Sequence, residues 1–368
     1  IPNQWEIFDS FIEDENGKKF AEFKKNNLHI VYNSHKIDKW VDKKTLKKHI
    51  SYLDNQPNRI PYCTSYYKKT WGFSLSKNTF KKLNKKKYRV FIDSISKKGN
   101  LEICEKIIKG KNSKEIFFST YICHPSMVND NLSGVVLQMA LIKYINETYK
   151  KTNYTYKFVF LPETIGSIAY INKNIKILKK NIFAGFNLSC VGDDKNYSMI
   201  STRREGTISD DILSSALISK KNFKKYSYLF RGSDERQYCY PGVDLPIVSF
   251  CRSKFHEFKE YHTDADNFKL VTKKGLSGSF DIFKTVIDTL ETNPLFPKVN
   301  YICEPNLGKR NLLSTFGKKD NFKNKLLKNI LVYCDGKTNI FQISNLLKIN
   351  IKLISEQILI LKKNKLIK

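Results

Sequence analysis

The sequence is poor in the residues that build metal clusters and disulfide frameworks. It has six histidines, and none of its eight cysteines belongs to a CxxC pair. The missing pairs leave no cysteine-based metal motif, and a chain of this length does not need a disulfide framework to fold. We therefore expect free thiols and a reducing, cytoplasmic compartment.

Long hydrophobic runs are absent as well. No apolar stretch approaches the roughly 20 residues that a membrane helix needs, and no secretory signal is recognisable. Hydrophobic residues nevertheless make up 41% of the sequence and aromatic residues 13%, which is enough for a sizeable folded core. We expect a globular protein that has no membrane partner.

Acidic residues are scarce relative to basic ones. Lys and Arg total 65 against 35 Asp and Glu, which gives a formal net charge of +30. Such a charge suggests nucleic acid or an anionic surface as a partner. The lysines are spread in short groups along almost the whole chain, however, as is typical of a solvated basic surface. Nucleic acid is therefore disfavoured, while acidic or phosphorylated sugars and a homo-oligomer stay open.

The 368 residues are long enough for two or three domains. Residues 1–105 contain short strands, among them 28–32 and 88–92, and are predicted to form a β-rich domain. Residues 106–297 alternate strands with helices. Residues 298–368 contain helical patterns over 321–333, 340–347 and 351–363, which resemble a winged helix or helix-turn-helix domain.

The middle region is predicted to be an α/β domain with a mixed, mostly parallel sheet that is covered by helices. Its predicted strands are residues 116–122, 156–161, 182–191 and 245–250, and its predicted helices are residues 134–149 and 275–290. In such sheets, ligands bind beyond the carboxyl ends of the strands. The residue types that follow these strands therefore decide what the protein does.

The first candidate ligand is His124, which ends an apolar strand in the sequence Ile-Cys-His-Pro-Ser. Asp130 follows it within Asn-Asp-Asn-Leu-Ser-Gly, at the start of a predicted helix. This order places an imidazole and a carboxylate together at the strand ends, where they could share a metal ion. Asp130 could also serve as a simple N-terminal helix cap.

Two further segments complete the candidate site. Glu163 emerges directly from a predicted strand, and a buried glutamate is unfavourable unless it is paired or bound to a metal. A late histidine lies in the sequence Glu-Tyr-His-Thr-Asp, beyond the last predicted strand. Imidazole nitrogen and carboxylate oxygen are ligands that zinc prefers. The sequence therefore predicts a zinc site formed by His124, Asp130, Glu163 and His262.

The order of these residues resembles the zinc-dependent aminopeptidases of the co-catalytic exopeptidase superfamily, which also contains the glutaminyl cyclases. Four segments are closer still to bacterial polysaccharide-biosynthesis proteins with an aminopeptidase-like domain: residues 123–126, 129–134, 232–239 and 260–263. The resemblance covers nearly the whole chain. It implies that the β-rich domain is inserted into the catalytic domain, that a winged helix follows, and that a further N-terminal segment of the catalytic domain precedes residue 1.

Three positions depart from the superfamily pattern. Ser126 stands where an aspartate usually follows the first histidine, and Ser189 stands where the third strand usually supplies an aspartate. Glu163 is a single residue where a glutamate pair is usual. One of two metal positions thereby loses a carboxylate, so a single zinc ion fits better than two. Glu163 matches either member of the pair, and its role as ligand or as general base stays open.

Five more residues are predicted to bind substrate: Asp234, Glu235, Arg236, Arg252 and Glu257. The guanidinium of Arg236 could clamp a carboxylate or a phosphate, although an ion pair with a neighbouring acid is an equal alternative. Arg252 and Glu257 lie on the segment that leads to His262, where they are predicted to line the pocket.

The resemblance implies a zinc-dependent amide hydrolase that acts on a peptide, or on an amino-acid- or amide-bearing glycan precursor, in surface polysaccharide biosynthesis. The metal would polarise a carbonyl, and Glu163, if it is not a ligand, would transfer the proton. The departures at Glu163 and Ser189 leave a second hypothesis open. The chain would then be a catalytically degenerate metal-binding module with a binding or regulatory role through its winged helix.

Overall fold

The computed structural model describes residues 2–66, 68–312 and 322–368, whose strands form sheets of four, seven and two strands. The strands are β1 (Gln4–Asp14), β2 (Lys19–Phe20), β3 (Ile37–Asp42), β4 (Ile50–Ser51), β5 (Phe73–Ser74), β6 (Lys87–Lys97), β7 (Cys104–Ile108), β8 (Glu115–Tyr121), β9 (Thr155–Leu161), β10 (Ile182–Leu188), β11 (Tyr197–Ile200), β12 (Phe223–Tyr226) and β13 (Ile247–Cys251). The helices are α1 (Lys43–Lys47), α2 (Lys77–Lys81), α3 (Ser133–Thr148), α4 (Ile165–Asn181), α5 (Ile208–Leu217), α6 (Glu235–Tyr238), α7 (Lys273–Thr292), α8 (Phe322–Val332), α9 (Ile340–Leu347) and α10 (Ile351–Lys363).

The four-stranded sheet lies in the N-terminal region, in the order β2-β1-β6-β3, with antiparallel pairs. Tyr88, Val90 and Ile92 alternate along β6 and are fully buried, as the period of a half-buried strand requires. The strand predicted over residues 88–92 is therefore confirmed.

The strand predicted over residues 28–32 is wrong. Residues 27–29 form a turn of 3₁₀ helix, because the side chain of Asn26 accepts a hydrogen bond from the backbone N–H of Leu28. A side-chain cap of this kind competes with strand pairing for the same backbone group. Ile30 and Tyr32 make only isolated bridges, to Phe73 and Thr64.

The seven-stranded sheet has the order β12-β11-β13-β10-β8-β9-β7. Its central strands β13, β10, β8 and β9 run parallel, whereas β7 pairs antiparallel with β9 and β11 pairs antiparallel with β13 and parallel with β12. This arrangement confirms the predicted mixed, mostly parallel sheet covered by helices. The carboxyl ends of β8, β9, β10 and β13 consequently meet at one edge.

Helix α7 is held against the central strands by aromatic side chains. Phe118 of β8, Phe186 of β10 and Phe250 of β13 all pack edge-on against Phe283, with ring centroids 5.4, 5.3 and 5.3 Å apart. All four rings are fully buried. Edge-to-face packing of this kind adds about 0.5–1.5 kcal/mol per pair to the free energy of apolar burial. These contacts join α7 to β8, β10 and β13, and candidate site residues follow β8, β10 and β13 at their carboxyl ends.

The C-terminal helices follow the sequence pattern closely. The helices predicted over residues 340–347 and 351–363 coincide with α9 and α10, while the one predicted over 321–333 is α8, with position 321 outside the described residues. Helix α9 packs on α5 and α10 packs on α7, so that Ile354 and Ile358 belong to the same core cluster as the seven-stranded sheet. The C-terminal helices thus share one continuous core with the sheet.

Within the described ranges, no helix combines the length and the apolar character that crossing a membrane would require.

Replacement of Ile358 by alanine is expected to lower the free energy of unfolding by about 2–5 kcal/mol, because a fully buried side chain leaves a cavity. The neighbouring Leu359 is 41% exposed, and its replacement by alanine should change that free energy by less than about 0.5 kcal/mol. Urea denaturation followed by far-ultraviolet circular dichroism measures both. Equal losses in the two variants would contradict the shared core.

Candidate metal centre

His124 lies just beyond the carboxyl end of β8, where the chain leaves the sheet. Its Nδ1 is 3.2 Å from the thiol sulfur of Cys123, and the same sulfur accepts the backbone N–H of Glu163 at 3.3 Å. This contact occupies Nδ1 of the imidazole and leaves Nε2 available to another partner. A second ring contact of this kind commonly orients a metal-binding histidine.

Asp130 lies in the turn that precedes α3, and its peptide bond to Asn131 is cis. The backbone N–H groups of Asn129 and Asp130 donate to the carboxylate of Asp266 at 2.5 and 2.9 Å. The hydroxyl of Tyr121 donates to Oδ1 of Asp130. Among the residues described, no side chain caps the first turn of α3, so the helix-cap alternative for Asp130 is wrong.

His262 reaches the same point from the loop after β13. The ring of Tyr261 stacks on the imidazole of His262 with centroids 4.0 Å apart. The carbonyl oxygen of His262 accepts a hydrogen bond from the backbone N–H of Tyr62 at 2.9 Å. The backbone of His262 has a φ of 52°, in the left-handed region that non-glycine residues rarely adopt. Contacts on both sides of the loop hold the residue in this conformation.

The three side chains converge. One ligand atom from each of His124, Asp130 and His262 lies within 4.8 Å of the others, and Nε2 of His262 is 3.0 Å from Oδ2 of Asp130. Both of these atoms are buried and lack a hydrogen-bond partner in the part of the chain that the structure describes. Buried polar atoms without partners are rare. Two nitrogens and one carboxylate oxygen at these separations fit ligands that each approach zinc to about 2 Å.

The electrostatics agree with this donor set. Burial lowers the pKa of His124, which favours the neutral imidazole that binds metals. Burial alone would raise the pKa of Asp130, but His262, His124 and the Tyr121 hydroxyl outweigh it and hold the pKa below its ordinary value. Asp130 is therefore present as a carboxylate beside the neutral imidazole of His124.

Glu163 follows β9 at the same edge of the sheet, and its Oε2 is 3.9 Å from Nε2 of His124. It lies outside the group of three converging ligands. Burial, together with the negative charges of Asp234 and Asp130, raises the pKa of Glu163 well above its usual range. A carboxyl group that holds its proton more tightly than usual is suited to proton transfer.

Two of the predicted substrate-binding residues, Arg236 and Asp234, contact Thr164, the residue after Glu163. Nη2 of Arg236 donates to the hydroxyl of Thr164, and Nε of Arg236 is buried without a hydrogen-bond partner among the described residues. Asp234 is fully buried and accepts hydrogen bonds from the backbone of Thr164 and the hydroxyl of Ser167 at 2.8 and 2.7 Å, and burial raises its pKa to about 6. These two residues organise the turn that carries Glu163.

The buried Glu235 has another arrangement. Its carboxylate accepts the backbone N–H of Gly232, the hydroxyl of Ser249 and the side-chain amide of Asn187. These contacts occupy both oxygens and favour a structural role. Substrate contact by Glu235 stays a prediction that the geometry does not favour.

Arg252 and Glu257 are also engaged elsewhere. Arg252 donates to the carbonyl oxygens of Asn196 and Gly275 at 2.7 and 3.2 Å, and its guanidinium lies over the ring of Tyr197. Glu257 accepts the hydroxyl of Tyr226 at 2.6 Å. These contacts favour structural roles for both residues, in place of the predicted pocket contacts.

Two tyrosines at the centre were missed by the sequence reasoning. The ring of Tyr62, from the N-terminal region, lies 5.3 and 5.2 Å from the rings of His124 and His262. Tyr121 is the last residue of β8 and reads in the sequence as one more core aromatic. No local pattern announces either residue, because each reaches the site through a contact between segments that are distant along the chain.

An open groove of about 1090 Å³ lies at the start of β7 and the end of β9. It is lined by Ile122 and Pro162, which directly precede Cys123 and Glu163, and by residues 98–104. The side chain of Ile122 is 55% exposed to this groove and solvent.

Comparison with known proteins agrees with these features. A family model described as a domain of unknown function, DUF4910, matches residues 4–293, and one described as winged helix-turn-helix matches residues 296–368. A Clostridium acetobutylicum protein described as a polysaccharide biosynthesis protein with aminopeptidase-like domain is 39% identical over 349 residues, which cover 94% of this chain and 79% of that protein.

Solved structures show the same fold. The crystal structure of a candidate peptidase from Clostridium acetobutylicum matches 100% of this chain and 84% of that chain, with 36% identity and a TM-score of 0.88. A zinc aminopeptidase from Bacillus subtilis shares the fold alone, with 12% identity and a TM-score of 0.57 over 78% of this chain and 82% of that one. The chain therefore belongs to the DUF4910 family, together with the Clostridium acetobutylicum protein described as a polysaccharide biosynthesis protein with aminopeptidase-like domain, and its residues 296–368 match a winged helix-turn-helix.

Proposed function

We propose that the protein is a zinc-dependent amide hydrolase of the aminopeptidase-like type, which acts on a peptide or on an amino-acid- or amide-bearing glycan precursor. One observation carries the proposal: the ligand atoms of His124, Asp130 and His262 lie within 4.8 Å of one another at the carboxyl edge of the sheet. The buried atoms Oδ2 of Asp130 and Nε2 of His262, without hydrogen-bond partners among the described residues, support a cation between them.

When bound there, zinc would polarise a substrate carbonyl and bring the pKa of its water toward about 7. The residues of the chain provide the rest. His124, Asp130 and His262 would hold the ion, and a site with three protein ligands would accept water or substrate as well, as catalytic zinc sites do. Tyr62 covers one side of the two imidazoles and limits the directions from which water can approach.

Glu163 is assigned as the general base. Its carboxyl oxygen is near His124 but outside the three-ligand group, and its raised pKa favours a group that takes a proton and returns it to the leaving amine. Arg236 donates a hydrogen bond to the hydroxyl of Thr164, the residue that follows Glu163. Its Nε has no hydrogen-bond partner among the described residues, and we assign the guanidinium to hold an anionic part of the substrate.

Two observations support the proposed substrate class: the groove lined by Ile122 and Pro162, and the name of the related protein. The groove next to Ile122 and Pro162 is large enough for a glycan or peptide attached to the scissile amide. The name of the related protein connects the family to polysaccharide biosynthesis. A metal-binding module without turnover is the second candidate, which the single Glu163 and the serine at position 189 favour.

Zinc is expected to stabilise the protein, because an ion that binds only the folded state adds about 2.7 kcal/mol when its free concentration is about 100 times Kd. The change His262→Ala removes a ligand and should abolish the zinc-dependent rise in melting temperature. His35→Ala is the control, since the ring of His35 bonds to the carbonyl oxygen of Thr70 in the N-terminal region. Zinc stabilisation that survives in His262→Ala would rule out the assigned centre.

The change Glu163→Gln is expected to lower kcat for amide hydrolysis by about 10²–10⁴-fold while the zinc content stays unchanged, because the amide cannot transfer the proton. Zinc content is measured by atomic emission, and turnover with a panel of aminoacyl anilides, with and without chelator. Glu147→Gln, at an exposed carboxylate 3.8 Å from Lys143, is the control for loss of a negative charge.

Three outcomes separate the candidates. Chelator-sensitive turnover that Glu163→Gln abolishes supports the hydrolase. Loss of zinc in Glu163→Gln would make Glu163 a ligand and reject its assignment as base. Stoichiometric zinc in the wild type, without hydrolysis of any substrate in the panel or of amidated sugars, would reject the hydrolase and leave the metal-binding module.

A further inference from the structure

Tyr121 lies directly beneath the candidate centre. It is the last residue of β8, and only 3% of its surface is exposed. Its hydroxyl donates to Oδ1 of Asp130 and also lies 2.8 Å from the hydroxyl oxygen of Ser189, at the end of β10. The hydroxyl can donate only one proton, so Ser189 donates to Tyr121 while Tyr121 donates to the carboxylate.

This chain of hydrogen bonds makes the two oxygens of Asp130 different. Oδ1 is engaged by the Tyr121 hydroxyl, whereas Oδ2 is 3.0 Å from Nε2 of His262 and has no hydrogen-bond partner among the described residues. A carboxylate can bind one cation through one oxygen or through both, or two cations through one oxygen each. Here one oxygen is available to a cation on the side of the two histidines.

The surroundings of Oδ1 offer little to a second cation. Ser189 contributes a neutral hydroxyl that already bonds to Tyr121. The side-chain amide of Asn131 bonds to Thr120 and to the carbonyl oxygen of Leu188, and its oxygen accepts the backbone N–H of Cys190. A divalent ion on this side would have to displace the tyrosine hydroxyl without gaining an anionic ligand from these groups.

We propose that Tyr121 is a positioning residue that holds Asp130 as a one-oxygen ligand and thereby limits the centre to a single cation. The proposal rests on the zinc centre of the proposed function. The hydroxyl of Tyr121 would then determine how many metal ions the centre binds without being a metal ligand itself.

The change Tyr121→Phe tests this assignment, because it removes the hydroxyl and keeps the ring. Wild-type protein is expected to bind one equivalent of zinc. In Tyr121→Phe, competition with a chromophoric chelator should give a zinc affinity about 10–100-fold weaker, the usual effect of losing a group that orients a ligand. Ser189→Ala is the matched control, since it removes a hydroxyl from the same chain but leaves the donor to Asp130, and its affinity should stay within about threefold.

Cobalt provides a readout that a purely structural role would not change. In the Co²⁺-loaded proteins, release of Oδ1 lets the carboxylate bind through both oxygens, which raises the coordination number and lowers the intensity of the visible absorption. Tyr121→Phe should show this loss, and Ser189→Ala should keep the wild-type spectrum. Circular dichroism establishes that each variant is folded.

Each result decides the matter. Two equivalents of zinc in the wild type, or a Tyr121→Phe variant with wild-type affinity and cobalt spectrum, would overturn the inference while the zinc enzyme itself stands. A wild type that binds no zinc would overturn both proposals. Because the stoichiometry is measured on the wild type, the inference can fail even if Tyr121→Phe does not fold.

Discussion

The carboxylate of Asp130 is the group on which the site depends. A fully buried charge is unfavourable unless several partners compensate it, and here the partners come from two distant parts of the chain, residues 121–124 and residues 262–266. Asp266 fixes the backbone of the turn, Tyr121 fixes one oxygen, and the histidines at positions 124 and 262 face the other. Each partner lies at or beyond a strand end, so the register of the parallel strands determines whether they meet.

The C-terminal helices pack against the helices of the α/β domain and, among the described residues, contribute no ligand to this site. Helices of a winged helix can contact DNA, but α9 and α10 are packed on α5 and α7, and the side chain of Asn350 donates to the carbonyl oxygen of Ala216 at 3.2 Å. Those faces are therefore occupied by the protein itself.

Much of the fold could be predicted from the sequence, because long apolar strands and amphipathic helices have strong periodicity. The four strands at the centre of the sheet and the helices α9 and α10 were found this way. Residues 28–32 were misread, since a side-chain cap on Asn26 decided the local structure. His124, Asp130 and His262 were recognisable by residue type and order, whereas Tyr62 and Tyr121 were not, because their roles exist only through distant contacts. Arg252 shows the opposite error: a residue near His262 in sequence points elsewhere in space.

The loop that carries Tyr62 belongs to the N-terminal region, yet backbone contacts join it to the loop of His262 in a short antiparallel bridge. Pro61 pairs with Thr263, and the backbone of Asp264 donates to the carbonyl oxygen of Ile60 at 3.0 Å. An exchange of this region between related proteins would therefore also replace the residues that lie beside His124 and His262. The fold of the N-terminal region and the surroundings of the candidate ligands would therefore be inherited together, as one unit of evolutionary change.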